Sequence, residues 1–524
     1  MILIKKYRTK NVETKTVLFV LLVLVLPVFF QGCSKPETTG VSYYFDSAGG
    51  NNENSGISAG EPFQSLSKIK QLKMRPGDKI LLKSGAVFTE QLFFSGKGDL
   101  LNPVVIGKYG GEALPHIKGD GKTAAVYILN SEYFVLRDLE ISNQGETPVE
   151  GLNGVLIELN NFGVAKNIVV ENLFVHDVTG SLVKEKGGGN AIHFVNYHDN
   201  QPDSLLSCFD GLLVQNCHVK DSQRNGIMMW GNWIRSKWFP SRNVVIRNNL
   251  IEGVPGDGIV PVGCESPLVE YNIMRDCPGT LPASEACDGI WPWSCDNAVI
   301  QFNIVDGHKS VVDGYGFDSD WNSTNSVFQY NLSMNNDGGF MLICNSGGWP
   351  TDWSIGNTGT RVRYNLSIND GIRNYIPANK HDYFSALFHV TGPVFNTVVE
   401  KNLFYVVKKE KPEIDKTFVH LSSWTGYADS TAFRNNFLFL AEPHTAVLPG
   451  KSTQNFFEEN IFAGEMTGFE TGFQKADLPF NSGLWYDEND ANLKKLMDFV
   501  KDKTVTINGS EHKIASLIGY NENH

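Results

Sequence analysis

The stretch NLIEGVPGDGIVPV, Asn249–Val262, contains two short phrases that recur along the chain. The first is Asn (once Asp) followed by an apolar residue. It stands at Asp138-Leu139, Asn172-Leu173, Asn216-Cys217, Asn249-Leu250, Asn272-Ile273, Asn303-Ile304, Asn331-Leu332, Asn365-Leu366, Asn402-Leu403, Asn436-Phe437 and Asn460-Ile461, at steps of 23 to 44 residues. The second is Asn or Asp, then Gly (once Ala), then an apolar residue. It begins at Asn153, Asn190, Asn225, Asp257, Asp288 and Asp313, and Gly338-Gly339-Phe340 continues it. Recurrence at this period means a solenoid, because one repeat cannot bury its own apolar face and must stack on the next. The β-rich surroundings make it an all-β solenoid of parallel rungs.

Aligned on the second phrase, equivalent residues of neighbouring rungs stack about 4.8 Å apart. With its Asn/Asp as position one, positions three and five read Val155/Ile157, Ile192/Phe194, Ile227/Met229, Ile259/Pro261, Ile290/Pro292, Tyr315/Phe317 and Phe340/Leu342. This apolar set is the expected inward face. Positions four and six then face outward. They include His193, Met228, Trp230, Trp291 and Trp293, with Asp318 at six. An apolar, Trp-rich outer face requires a cover, whether loops, a partner or a ligand. The insertions 232–242 and 347–359, with Trp233, Trp238, Trp349 and Trp353, are candidate walls.

Among 524 residues, charged side chains make up 19%, 51 residues are Gly, and the net charge is -12. That balance excludes a nucleic-acid binder, which needs a basic footprint. Lys5, Lys6, Arg8 and Lys10 precede an apolar run, Val17 to Phe30, too short for a comfortable membrane span and typical of an export leader. Gly32-Cys33 at its end resembles a bacterial lipobox. The resemblance implies lipidation of Cys33 and a lipoprotein at the outer membrane or cell surface, with a periplasm-facing position as the alternative. Of the remaining seven Cys, Cys264, Cys277, Cys287 and Cys295 are crowded enough for one disulfide.

Tyr43-Tyr44-Phe45-Asp46 reads as a strand, 51–60 as a polar turn, Ser65–Leu72 as a short helix, Pro76-Gly77-Asp78 as a turn and Lys79–Leu82 as a second strand. With Pro62-Phe63, this opening resembles that of secreted right-handed parallel β-helix proteins, the pectate-lyase-like polysaccharide lyases and several glycoside hydrolases. The resemblance runs to about residue 465. The expected organisation is a leader (1–32), a tether (33–42), an N-terminal cap (43–95), a right-handed parallel β-helix (96–465) and a C-terminal cap (466–524). Helical spacing marks Asp487–Asp502 within that last cap.

Acidic residues concentrate on successive rungs: Asp257, Asp288 and Asp313 at position one, Asp318 at six, Asp320 at eight, Glu265 and Asp296 at nine. Glycoside hydrolysis needs two carboxylates about 5 to 9 Å apart, one of them protonated. Position-one Asn/Asp residues are also ordinary turn formers. Asp318 interrupts an aromatic column, a poor place for an idle carboxylate. It is the leading catalytic candidate, with Asp320, Asp288 or Glu265 as partner. Trp230, Trp291, Trp293 and Trp321 would stack on sugar rings, while His193 and Arg224 would bind substrate. His308, Lys309 and His389 are weaker candidates.

The expectation is a monomeric glycoside hydrolase acting on a polysaccharide or oligosaccharide without a cofactor, held to a membrane through Cys33. One alternative is a Ca²⁺-dependent lyase acting on a uronate glycan, although the outward columns supply no Lys or Arg base. The other is a non-catalytic glycan-binding or adhesion β-helix.

Overall fold

The computed structural model describes residues 40–145, 150–198, 205–348, 354–376, 384–406, 408–467, 471–475, 504–507 and 510–513. The leader, Cys33, most of the tether, Trp349, Trp353 and the helical spacing at 487–502 lie outside them.

The chain winds into a parallel β-helix with three long sheets. One coil shows the pattern. Ser241–Arg247 belongs to the first sheet, Leu250–Glu252 to the second and Ile259–Val260 to the third. Each strand pairs in parallel with its counterparts one coil before and after. The first sheet begins at Ser42–Phe45, which pairs with Lys79–Lys83. The first sheet therefore starts inside 43–95, the segment expected as the N-terminal cap of the β-helix. The helix expected at Ser65–Leu72 is a 3₁₀ turn, Leu66–Gln71, whose N-cap Ser65 Oγ accepts from Ser67 N. The second sheet continues to Phe473–Lys475, and Thr504–Ile507 pairs antiparallel with Ser510–Lys513.

The core is the bore of the coil. Ile192, Phe194, Ile227, Met229, Ile259 and Ile290 are fully buried in it, as alternation requires. Gly at position two is a packing requirement. A Cβ on Gly258 would lie 2.2 Å from Met274 Sδ of the second sheet, and one on Gly289 would lie 2.8 Å from Val305 Cγ1. Cys208, Cys217, Cys264, Cys277, Cys287, Cys295 and Cys344 are buried free thiols, so the disulfide considered among 264, 277, 287 and 295 is not formed.

The first phrase marks the corner between the first and second sheets, and it conceals a one-residue shift. Asp138, Asn172 and Asn216 adopt positive φ, and the following Leu139, Leu173 and Cys217 point inward. From Asn249 onward the Asn itself takes the inward place. Its N–H and Nδ2 both donate to Asn272 Oδ1 (3.0 and 2.9 Å), and its Nδ2 also donates to Val214 O. The relay continues through Asn303, Asn331, Asn365, Asn402, Asn436 and Asn460. The positive-φ place before the Asn is then taken by Tyr271, Phe302, Tyr330 and Tyr364, whose rings stack at 4.9, 5.1 and 5.2 Å.

Every rung thus satisfies the polar groups of the one below it. Asn303→Ala removes an acceptor of two bonds and a donor of two more, leaving buried groups of Asn272 unpaired. It should destabilise the fold by about 2–4 kcal/mol, read as a lowered denaturant midpoint. A solvent-side substitution of Gln329 serves as the control.

Candidate functional site

The third sheet carries the site, and a bulge sets its register. Cys287 pairs with Asp313, and Gly314 N donates to Cys287 O. Asp313 and Gly314 both have positive φ, and the chain then steps so that Tyr315 N reaches Asp288 Oδ1 at 2.6 Å. Tyr315, not Asp313, therefore occupies position one. Ile290 bridges Phe317, and Asp320 N donates to Pro292 O. This moves Asp318 from position six to four, beside Trp291, and Asp320 from eight to six, beside Trp293. Asp318 pairs with Leu342 on the next rung, which puts Leu342 outward and Met341 inward, against the alternation expected from Gly338.

The resulting cavity has a volume of ≈ 790 Å³. Asp257, Asp288, Asp313, Asp318 and Asp320 line it together with Lys184, His389, Trp291, Trp293, Trp321 and Trp424. The five carboxylates are not equivalent. Asp257 Oδ1 accepts from Asp288 N and Trp291 Nε1, and Asp288 Oδ1 accepts from Tyr315 N; both side chains are buried in this ladder. Asp318 is 3% exposed, and its Oδ1 has no hydrogen-bond partner. Asp313 and Asp320 are half-buried and open onto the cavity.

The charge states follow from these surroundings. Burial, then the charges of Asp320, Asp288 and Asp313, push the Asp318 carboxyl well above its ordinary value and favour its protonated form. Burial raises Asp320 to about 6, against opposing bonds from Cys344 Sγ (3.0 Å) and Trp321 N (2.7 Å). Burial keeps the Cys344 thiol protonated, so it acts as a donor. One oxygen each of Asp318 and Asp320 and the Cys344 sulfur lie within 4.8 Å of one another. A thiol and a protonated acid make a poor Ca²⁺ ligand set, which calls for six to eight oxygens.

Several residues expected in the site lie elsewhere. Glu265 pairs with Arg242 at 2.7 Å on the first sheet, since it follows the turn out of the third sheet. Asp296 is bound by Arg235. His193 is held by Asn153 Oδ1 and Asn190 Nδ2, and burial lowers it to about 4. Trp230 packs on Trp293 at 5.5 Å. It belongs to a second apolar cluster in which Trp233, Met228, Val260, Val262 and Trp291 are buried together. The loop carrying Trp233, stacked on Trp293 at 5.3 Å, is thus the cover that the apolar outer face required. Arg224 is 1% exposed, outside the cavity lining, and reaches Glu285 at 3.4 Å.

Glu285 also accepts from Lys184 N, so this pair anchors the turn that delivers Lys184. Lys184 Nζ lies 3.6 Å from Asp257 Oδ2 and 5.3 Å from the Trp291 ring centroid. Lys184 and Trp424 escaped the sequence reading because both sit outside the repeated phrases. The step of 25 residues from Asp288 to Asp313, against 31 from Asp257 to Asp288, was the available sign of the bulge.

Comparison with known proteins places the architecture. Residues 187–358 match the family model described as the right handed beta helix region. The chain is 26% identical over 436 residues to a lacto-N-biosidase of Bifidobacterium longum subsp. longum, covering 65% of this chain and 26% of that protein. The chain thus spans about a quarter of that relative's length. The native crystal structure of a GH136 lacto-N-biosidase from Eubacterium ramulus superposes with a TM-score of 0.58 at 23% identity, covering 81% of this chain and 67% of that one. Its selenomethionine derivative gives 0.59 at 23% identity, covering 82% and 68%. The fold is the right-handed parallel β-helix.

A carboxyl pKa raised in the native state costs stability as pH rises from the unfolded value to the folded one, and the loss is complete above it. Asp320 contributes its full share of stability below about pH 4, and that share is lost as pH rises through about 6. Asp320→Asn should therefore be more stable than the parent at pH 7.5, by about 1–3 kcal/mol, with the gap closing near pH 4. Denaturant midpoints at the two pH values check this.

Proposed function

We propose that the chain is a glycoside hydrolase whose reacting carboxylates are Asp320 and Asp313. The observation that carries the reading is the sorting of five clustered carboxylates into buried and accessible members within a Trp-lined cavity. A reacting group must touch the substrate, and of the five lining carboxylates only Asp313 and Asp320 are half-buried, the other three being buried. Asp320, raised to about 6, suits the proton donor to the glycosidic oxygen. Asp313 then serves as the carboxylate that attacks the anomeric carbon or activates water. Asp318 sits behind Asp320 as a protonated positioning residue. Trp321 and Trp424 offer flat apolar faces to sugar rings, and Lys184 adds a cation at one wall.

The likeness to lacto-N-biosidases supports a glycan carrying a lacto-N-biosyl unit as substrate. The reading also takes the chain to be lipid-anchored through Cys33, on the strength of the leader and Gly32-Cys33.

A chromogenic lacto-N-bioside tests the assignment. Asp313→Asn and Asp320→Asn should each lower kcat by at least about 10³-fold. Asp318→Asn, which keeps a neutral hydrogen-bonding group, should lower it far less. Loss confined to Asp318→Asn would move the reaction to the buried residue. Release of ultraviolet-absorbing unsaturated products, abolished by chelator, would instead favour a lyase. For the anchor, detergent-phase partitioning of the expressed protein should disappear in Cys33→Ala.

A further inference from the structure

The outer face of the second sheet holds a group of side chains that the proposed hydrolysis does not use. His116, Glu140 and Phe174 lie in register on three successive coils, with His176 two residues beyond Phe174. His116 Nδ1 is 3.3 Å from Glu140 Oε1, and His176 Nε2 is 3.2 Å from the same oxygen. The three atoms lie within 4.8 Å of one another. Ligands of a tetrahedral ion bound at about 2.0–2.1 Å stand about 3.3 Å apart. Two of the three separations already have this value.

The far side of each imidazole is also engaged. His176 Nδ1 meets Asp177 Oδ2 at 2.7 Å, and His116 Nε2 meets Ser142 Oγ at 2.8 Å. This is how ligating histidines are oriented: the remote nitrogen bonds a carboxylate or hydroxyl, and the near nitrogen is left to donate its lone pair. The local chain supports the arrangement. A bulge at Asp177, φ +49°, folds its carboxylate back on the neighbouring ring. Phe174 stacks on His176 at 4.5 Å and fixes its plane.

The geometry points to a divalent transition-metal site, best matched to Zn²⁺, formed by His116, Glu140 and His176 with one position left for water. Two imidazoles and a carboxylate favour Zn²⁺ over Ca²⁺ or Mg²⁺, which prefer oxygen alone. The half-buried side chains leave an entry path from solvent. Because its ligands come from three consecutive coils, a bound ion would staple the early part of the solenoid, independently of the reaction at the third sheet.

The test is metal binding to the tag-free full chain. One Zn²⁺ per chain is expected, with a raised thermal midpoint, and Co²⁺ should give the intense visible band of a tetrahedral site. His116→Ala, His176→Ala and Glu140→Gln should each weaken binding at least tenfold and abolish the Co²⁺ band, and Asp177→Asn should weaken it less. His198→Ala, a histidine outside the cluster, should change nothing. Circular dichroism confirms that each variant is folded. Absence of stoichiometric binding, or binding unaltered in both histidine variants, overturns the assignment.

Discussion

The structure depends on parallel stacking of coils, which forces every side chain to meet its own equivalent one rung away. The constraint is severe for polar groups in the bore. A single Asn inside would be a buried amide without a partner. An Asn on every rung is a continuous relay in which each amide from Asn272 to Asn460 accepts two bonds from the Asn before it and donates at least two. The column from Asn249 to Asn460 is stable because it is unbroken, and below it the apolar side chains of Leu139 and Leu173 serve the same place. The companion column, Tyr271 to Tyr364, applies the same rule through ring stacking.

The same constraint governs the cavity. Like charges stacked on successive rungs repel, and burial makes them costly, so protons are retained. Asp257 and Asp288 offset their burial with backbone and indole donors. Asp318 has no such compensation on one oxygen and stays neutral. Asp320 is intermediate, bonded by a thiol and a backbone amide, and ionises near the middle of the pH scale. Its value to a proton-transfer reaction and its cost to native stability have one origin. The Trp233 loop contributes by covering the neighbouring rungs, which leaves the cavity as the break in an otherwise closed apolar face.

Much of the fold was legible because a solenoid repeats its instructions. Period, alternation and Gly at position two are local properties, and each appears many times. The cavity was legible only in part. Asp318, Asp320, Trp291, Trp293 and Trp321 were found as departures from a column. Their register was misjudged because Asp313-Gly314 imitates the repeat phrase while forming a bulge two residues before the true position. Glu265 and Trp230 were misplaced for a related reason: parity along a strand gives direction but does not reveal where the strand ends or which loop folds over it.

The sequence by itself determined the parallel coil, its inward face and the acidic, Trp-rich region where exceptions gather, since these follow from short-range periodicity. Only the tertiary structure decided which carboxylates are buried and which are open. That depends on a bulge, on a loop stacked across Trp293 and on Lys184 and Trp424 arriving from distant turns. Protonation is set by desolvation and by neighbouring charges, and both are properties of three-dimensional proximity that no spacing along the chain encodes.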